Sequence, residues 1–223
     1  MAEDLQPRAP LAEGRNRGQP LVSVRVYVDG GGDYKHSDTA TACRRGFREL
    51  FEKIGLPARR FSVHAGGSRN QTFRDFCKAG RQESGDFIVL LVDSEGPVGV
   101  PNPWAHLHAR DRWQPPEGTS ADQAHLMVQC MEAWFLADRD ALTEFYGPEF
   151  LAASLPGQPN IEQISKRSLL PALKHASKQT SKGPHHKTRH GFALLALINP
   201  QRVRDASPHA GRLFDVLIHQ TNL

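Results

Sequence analysis

The chain has 223 residues, with 28 lysines and arginines against 24 aspartates and glutamates, and 39% of it is hydrophobic. That composition excludes a disordered chain, and the lack of any run of about 18 uncharged apolar residues excludes a membrane span. Cys43, Cys77 and Cys130 are too scattered for a disulfide framework or a paired-cysteine metal site. The N-terminus has no apolar core of a signal peptide, so a reduced, cytoplasmic protein is expected.

Residues 1–20 hold Pro7, Pro10, Pro20, Gly14 and Gly18 and little that builds a core, which predicts a disordered tail. The body, 21–223, reads as one domain. Val22, Val24, Val26 and Val28 alternate with Ser23, Arg25 and Tyr27, the period of a strand. That strand ends in Asp29-Gly30-Gly31-Gly32-Asp33. From Thr39 to Ile54 a helix is predicted, with Cys43, Phe47, Leu50, Phe51 and Ile54 on one face and Gly55 and Pro57 as stops. Phe61 to Ala65 reads as a second strand. A Gly66–Asn70 loop and a helix with Phe73, Phe76 and Cys77 follow. The apolar run Phe87–Val92 suits a strand buried on both faces of a parallel sheet. This order predicts an α/β core over 21–98.

Gly96 to Gly118, rich in Pro and Trp, reads as a long surface loop, with Trp104 and Trp113 packing it onto the body. Ala121 to Asp138 is predicted to be one helix capped by Ser120, carrying Asp122, His125, Gln129 and Glu132 in a polar stripe. The rest reads as helical, with Asn199-Pro200 and Ser207-Pro208 as helix starts.

Charge is unevenly spread. Between Gln163 and Arg204 there are nine basic residues and no acidic one, while the remainder of the chain has 19 basic and 24 acidic residues. A short run of this kind is normally a solvated helix face. The length of this one, with His175, His185, His186 and His190 inside it, favours contact with a polyanion.

Ligands of open parallel sheets bind at the carboxyl ends of the strands. Two strand ends carry acids here: Asp29 with Asp33, and Asp93-Ser94-Glu95. Either pair alone would be a capping or turn feature. Together, if their strands are neighbours, they repel one another and call for a hard cation such as Mg²⁺. The glycines fit neither the P-loop nor the dinucleotide-binding pattern.

Asp29-Gly30 and, two strands later, Asp93-x-Glu95 resemble the Toprim domain of topoisomerases, primases and OLD-type nucleases, over about Val22 to Val98. A longer likeness runs from Val26 to Phe214. Its strings are VYVDGGGD, GSRN, LLVDSEGPV, DQAHLMVQCMEAWFLAD, the Lys187…His190 pair, FALLALINPQRVR and SPHAGRLFD. These look like domain-of-unknown-function family 4276, Toprim-like proteins of prokaryotic mobile elements and antiphage defence. In Toprim domains the first acid is usually glutamate, where this chain has the shorter Asp29, and Glu95 stands where the second aspartate is usual.

The resemblance implies an α/β, Toprim-like parallel sheet with flanking helices and a mainly helical C-terminal half. It implies a nuclease using Mg²⁺ (or Mn²⁺) on DNA or RNA as a defence effector. Asp93 and Glu95 would hold the metal. Asp29 would be base or further ligand, and Asp33 a support or second-metal ligand. Glu132 would add an acid, and Lys187 and His190 would touch the scissile phosphate. Gly30, Gly31, Arg69, His125, Lys182 and Arg189 are the expected substrate contacts. The expected partners are nucleic acid and a regulatory ATPase or other defence-system protein, with a homodimer left open and no membrane. Two other readings stand beside this one: a binding module with a weak or inactive site, and a phosphatase or phosphotransferase acting on small molecules.

Overall fold

A computed structural model describes residues 23–30, 37–82 and 85–222. The tail expected over 1–20, together with Gly31 and Asp33, lies outside them. The four strands β1 (Val24–Val28), β2 (Phe61–Ala65), β3 (Phe87–Asp93) and β4 (Ala124–Met127) form an all-parallel sheet in the order β2-β1-β3-β4. The expected α/β class is therefore observed. β3 is central and its apolar run is buried on both faces, as its sequence requires.

Alternation along the strands makes two cores. Val24, Val26, Val28, Val89, Leu91 and Met127 face one side. There they meet α1 (Asp38–Lys53), α6 (Lys187–Leu197), α7 (Pro200–Ala206) and α8 (Pro208–Asn222). Tyr27, Ile88, Leu90, Val92 and Leu126 face the other, against α2 (Arg69–Gly80) and α3 (Pro103–Asp111). α1 begins at Ser37, whose hydroxyl accepts the Ala40 N–H, and ends at Gly55 with φ +93°. It buries Phe47, Leu50 and Phe51 completely, each contributing about 2 kcal/mol.

α1 and α6 cross at Gly46, where a Cβ would lie 2.5 Å from the Phe192 carbonyl oxygen. The Phe192 ring also fills the space beside Gly30 (φ +140°), 3.3 Å from where a Cβ would stand. Two small residues thus let Phe192 index α6 against the end of β1. This fixes where the first residue of α6, Lys187, emerges.

Two expectations fail. The stretch read as a loop over 96–118 contains α3, capped by Asn102 with Pro103 in its first turn; the Pro and Trp residues hid a short helix that buries Trp104 and Leu107. Ala121–Asp138 is not one helix. Ser120 does cap, but it caps the 3₁₀ turn Ala121–Gln123, after which come β4 and a 3₁₀ helix, Met131–Ala137. The short apolar run Ala124–Val128 fits either period, and a vacant edge of β3 decided in favour of a strand. The helices expected afterwards are present. They include α4 (Arg139–Tyr146), α5 (Lys166–Ser177), Asn199 as cap of α7 and Ser207 at the start of α8.

Candidate active site

β1 and β3 are neighbours, in the register Val28 with Leu91, so the acids after them meet at one rim. Asp93 is the last residue of β3 and 2% exposed. Its parity with Val89 and Leu91 turns it towards the α1/α6 layer. Its Oδ1 accepts the Met131 N–H at 2.8 Å, and its Oδ2 accepts Lys187 Nζ at 3.2 Å, with Lys166 Nζ 4.0 Å away. Burial raises the Asp93 pKa, Lys187 opposes that, and Glu132 adds to it.

Asp29 continues the ladder through its N–H to the Leu91 carbonyl at 3.1 Å. Its pKa is pushed up to about 6, first by burial and then by the charge of Asp93, with Lys187 and Arg69 opposing. Glu95 turns back with φ +64°, a conformation that costs a non-glycine residue about 1 kcal/mol or more and persists only when its surroundings enforce it. Here the Glu95 N–H donates to the Gln129 carbonyl at 2.8 Å, the Ser94 N–H to the Met127 carbonyl at 2.9 Å, and His106 Nε2 to the Ser94 carbonyl at 2.9 Å. So held, Glu95 accepts Lys166 Nζ at 2.6 Å. Although burial raises its pKa, the Lys166 ammonium brings it below the usual carboxylate range.

Glu132 opens the 3₁₀ helix after β4 and is completely buried, and neither carboxyl oxygen has a hydrogen-bond partner. Such a group normally finds partners or leaves the interior. Its charged neighbours are Asp93 and Lys187. Burial lowers the Lys187 pKa, but Asp93, Glu132 and Asp29 together raise it well above the lysine range. One ammonium therefore reports three carboxylates around it. The expected convergence of Asp29, Asp93, Glu95 and Glu132 is observed, although Glu132 arrives on a 3₁₀ turn and not on a helical stripe.

Among the described residues no three His, Cys, Asp or Glu side chains are drawn up as a ready cation-binding group. The positive charge at the rim comes from Lys187, Lys166 and Arg69. The donor set is nevertheless all oxygen, and it includes an orphaned buried carboxyl. That is the chemistry a hard divalent cation takes, so the residues fit Mg²⁺ or Mn²⁺. The thiols do not offer covalent chemistry: burial lifts Cys43 to about 12 and raises Cys130 as well, whereas a thiol nucleophile needs a lowered pKa.

The other candidates are distributed differently. Arg69 sits in the first turn of α2 behind the Ser68 cap. Its guanidinium holds Asp111 with two hydrogen bonds (3.1 and 2.8 Å), donates to the Asp93 carbonyl at 2.5 Å and approaches Asp29 at 3.9 Å. It braces the rim instead of standing in solvent. His125 belongs to β4, not to the Glu132 face. Its Nε2 donates to the Asp122 carbonyl at 2.9 Å, and burial followed by the Arg212 charge lowers its pKa to about 3. His190 is buried: its Nδ1 is 3.2 Å from the Tyr146 hydroxyl and accepts the His186 N–H. Lys182 lies over the Phe145 ring at 4.9 Å, and Arg189 is exposed. Gly30 makes room for Phe192. Trp104 and Trp113 are buried, Trp113 stacked on Phe73.

Sequence reasoning missed Lys166 and Asp111. Lys166 heads the basic segment and follows the cap Ser165, so its place in the first turn of a helix was readable, but its distance from Glu95 was not. A family model described as "Domain of unknown function (DUF4276)" matches residues 34–218. No curated protein and no solved structure matches the chain.

Proposed function

We propose that this chain, which belongs to the DUF4276 family, is a Toprim-like, divalent-cation-dependent nuclease that hydrolyses phosphodiester bonds of DNA or RNA. The observation that carries this reading is the convergence of four carboxyl groups, one of them buried without a hydrogen bond, at the carboxyl rim of a parallel sheet. Asp93, Glu95 and Glu132 would hold Mg²⁺ or Mn²⁺, with Asp29 as further ligand or as acceptor of the water proton. The bound ion supplies positive charge for the phosphorus oxygens and acidifies water.

The chain's own residues support a phosphate at this rim. Lys166 and Lys187 are the first residues of α5 and α6, so two helix N-termini bring their positive ends and their ammonium groups to the acids. Lys187, with 48% of its side chain exposed, can reach a phosphate while still touching Asp93. Lys174 on α5, Lys178 and Lys182 in the turn after it and Arg189 on α6 are all exposed, as a backbone-binding track requires. That track favours a polymer over a small phosphate ester.

A second reading has its own support. The Glu95–Lys166 contact at 2.6 Å and the Asp93–Lys187 contact at 3.2 Å neutralise two acids from within, as in a module that binds nucleic acid or a partner without cleaving. A role as a cytoplasmic defence effector restrained by an ATPase rests on the family resemblance alone. Incubation of the purified protein with DNA and RNA pools, in Mg²⁺, Mn²⁺ or chelator, separates the readings. Metal-dependent cleavage lost in Asp93→Ala supports the nuclease. Salt-sensitive binding without cleavage, unchanged in Asp93→Ala, supports the module.

A further inference from the structure

Beside the acid rim lies a cavity of about 390 Å³ lined by Pro97, Val98, Val128, Gln129, Asn160, Glu162 and Gln163, a volume within the range of small-molecule sites. It adjoins the rim through Gln129, whose carbonyl accepts the Glu95 N–H at 2.8 Å. The Gln129 side chain is oriented. Its Oε1 accepts the Lys166 N–H at 3.2 Å, and only the oxygen of an amide can accept. Asn160 is fixed likewise, its Oδ1 accepting the Glu162 N–H at 2.9 Å. Gln129 Nε2 and Asn160 Nδ2 therefore remain as donors with no partner among the described residues. Glu162 is committed elsewhere, to the Ser207 hydroxyl and to His209, so its carboxylate does not compete for a ligand donor.

We propose that this cavity is a nucleobase subsite for the nucleotide next to the one whose phosphate meets Asp93. Pro97, Val98 and Val128 supply apolar walls for the faces of the ring. The two amide donors read acceptor atoms on its edge. Guanine offers two adjacent acceptors, O6 and N7, and uracil or thymine two carbonyls, O4 and O2, to match two donors, whereas the Watson–Crick and Hoogsteen edges of adenine each set its own amino donor beside a single acceptor. Adenine is thus the poorest ligand. The polymer context rests on the nuclease reading; the pocket's preference among bases does not.

The test separates the two. Saturation-transfer NMR measures binding of free guanosine, uridine and adenosine to the full chain in chelator, where no cleavage occurs. Guanosine or uridine is expected to bind about tenfold more tightly than adenosine, the worth of one hydrogen bond. Asn160→Asp keeps the acceptor for the Glu162 N–H and removes the presented donor, and should lose about tenfold for the carbonyl bases. Val98→Trp, at a half-buried wall, should abolish binding of all three, and thermal unfolding of both variants shows that the fold is intact. Nucleosides that bind in this order uphold the subsite even if no nuclease activity is found. No nucleoside binding, or binding indifferent to both variants, overturns it even if the protein cleaves.

Discussion

Glu132 makes the sharpest demand on the proposed site. Its carboxyl group is fully buried, both oxygens are orphaned, and Asp93 stands nearby. Each unsatisfied buried oxygen costs roughly 1–3 kcal/mol. Against this, the attraction of Lys187 is lost when the acid is removed, and a replacement packs imperfectly at about 1 kcal/mol. Glu132→Met is close in volume and has no oxygens to satisfy. In chelator it should raise stability by about 2 kcal/mol, or about 4–8 °C in a chain of this size. Glu132→Gln keeps a polar end that lacks partners and should gain less. Added Mg²⁺ should raise the melting temperature of the wild-type chain by mass action, but not that of Glu132→Met, which should also lose cleavage. Calorimetric melts with chelator and with Mg²⁺ decide the matter. A Glu132→Met chain less stable than wild type in chelator would refute the argument, because the carboxyl would then be satisfied by Lys187 and not be waiting for a cation.

Other consequences can be measured independently. Lys166→Met removes an ammonium 2.6 Å from Glu95 and should tighten Mn²⁺ binding about tenfold; unchanged or weaker binding would show that Lys166 does not compete with the ion. Gly46→Ala puts a methyl group 2.5 Å from the Phe192 carbonyl and should cost about 3 kcal/mol, read by urea unfolding, while moving Lys187 off Asp93; a cost under about 1 kcal/mol contradicts the close crossing. His125 and His185 are buried with pKa values lowered to about 3 and about 4, mainly by burial. Because the unfolded imidazoles take up protons first, their stabilisation is complete above about pH 6.5 and drains away as the pH falls towards 4. The double variant His125→Asn, His185→Asn should therefore flatten the stability slope near pH 5 by about 2.7 kcal/mol per pH unit; an unaltered slope contradicts neutral burial.

The sequence reading succeeded where one physical signal had no rival. The alternating valines of β1 carry the period of a strand, the unbroken apolar run of β3 follows in a strand–helix–strand–helix order that calls for another, and carboxylates after neighbouring parallel strands had to share a rim. It failed at Ala121–Asp138, where Leu126, Cys130 and Trp134 mimic a helical stripe. Four residues from Ala124 were taken instead by the open edge of β3, a tertiary choice that local periodicity does not encode. The same error joined His125 to Glu132, although Glu132 reached the site by another route. Lys166 was beyond reach because its contact with Glu95 spans 71 residues and depends on how α5 packs. Arg69 shows the converse. A loop arginine with no visible partner proved to be held by Asp111, in a helix the Pro- and Trp-rich stretch had concealed.

The claim on which the functional reading turns is that this rim captures a divalent cation. Titration of Mn²⁺ into the metal-free chain, followed by electron paramagnetic resonance, tests it without assuming a substrate. The account predicts saturable binding at the rim, displaced by Mg²⁺ and lost in a folded Asp93→Asn variant. Mn²⁺ that stays free in solution, or binds equally to Asp93→Asn, would contradict it.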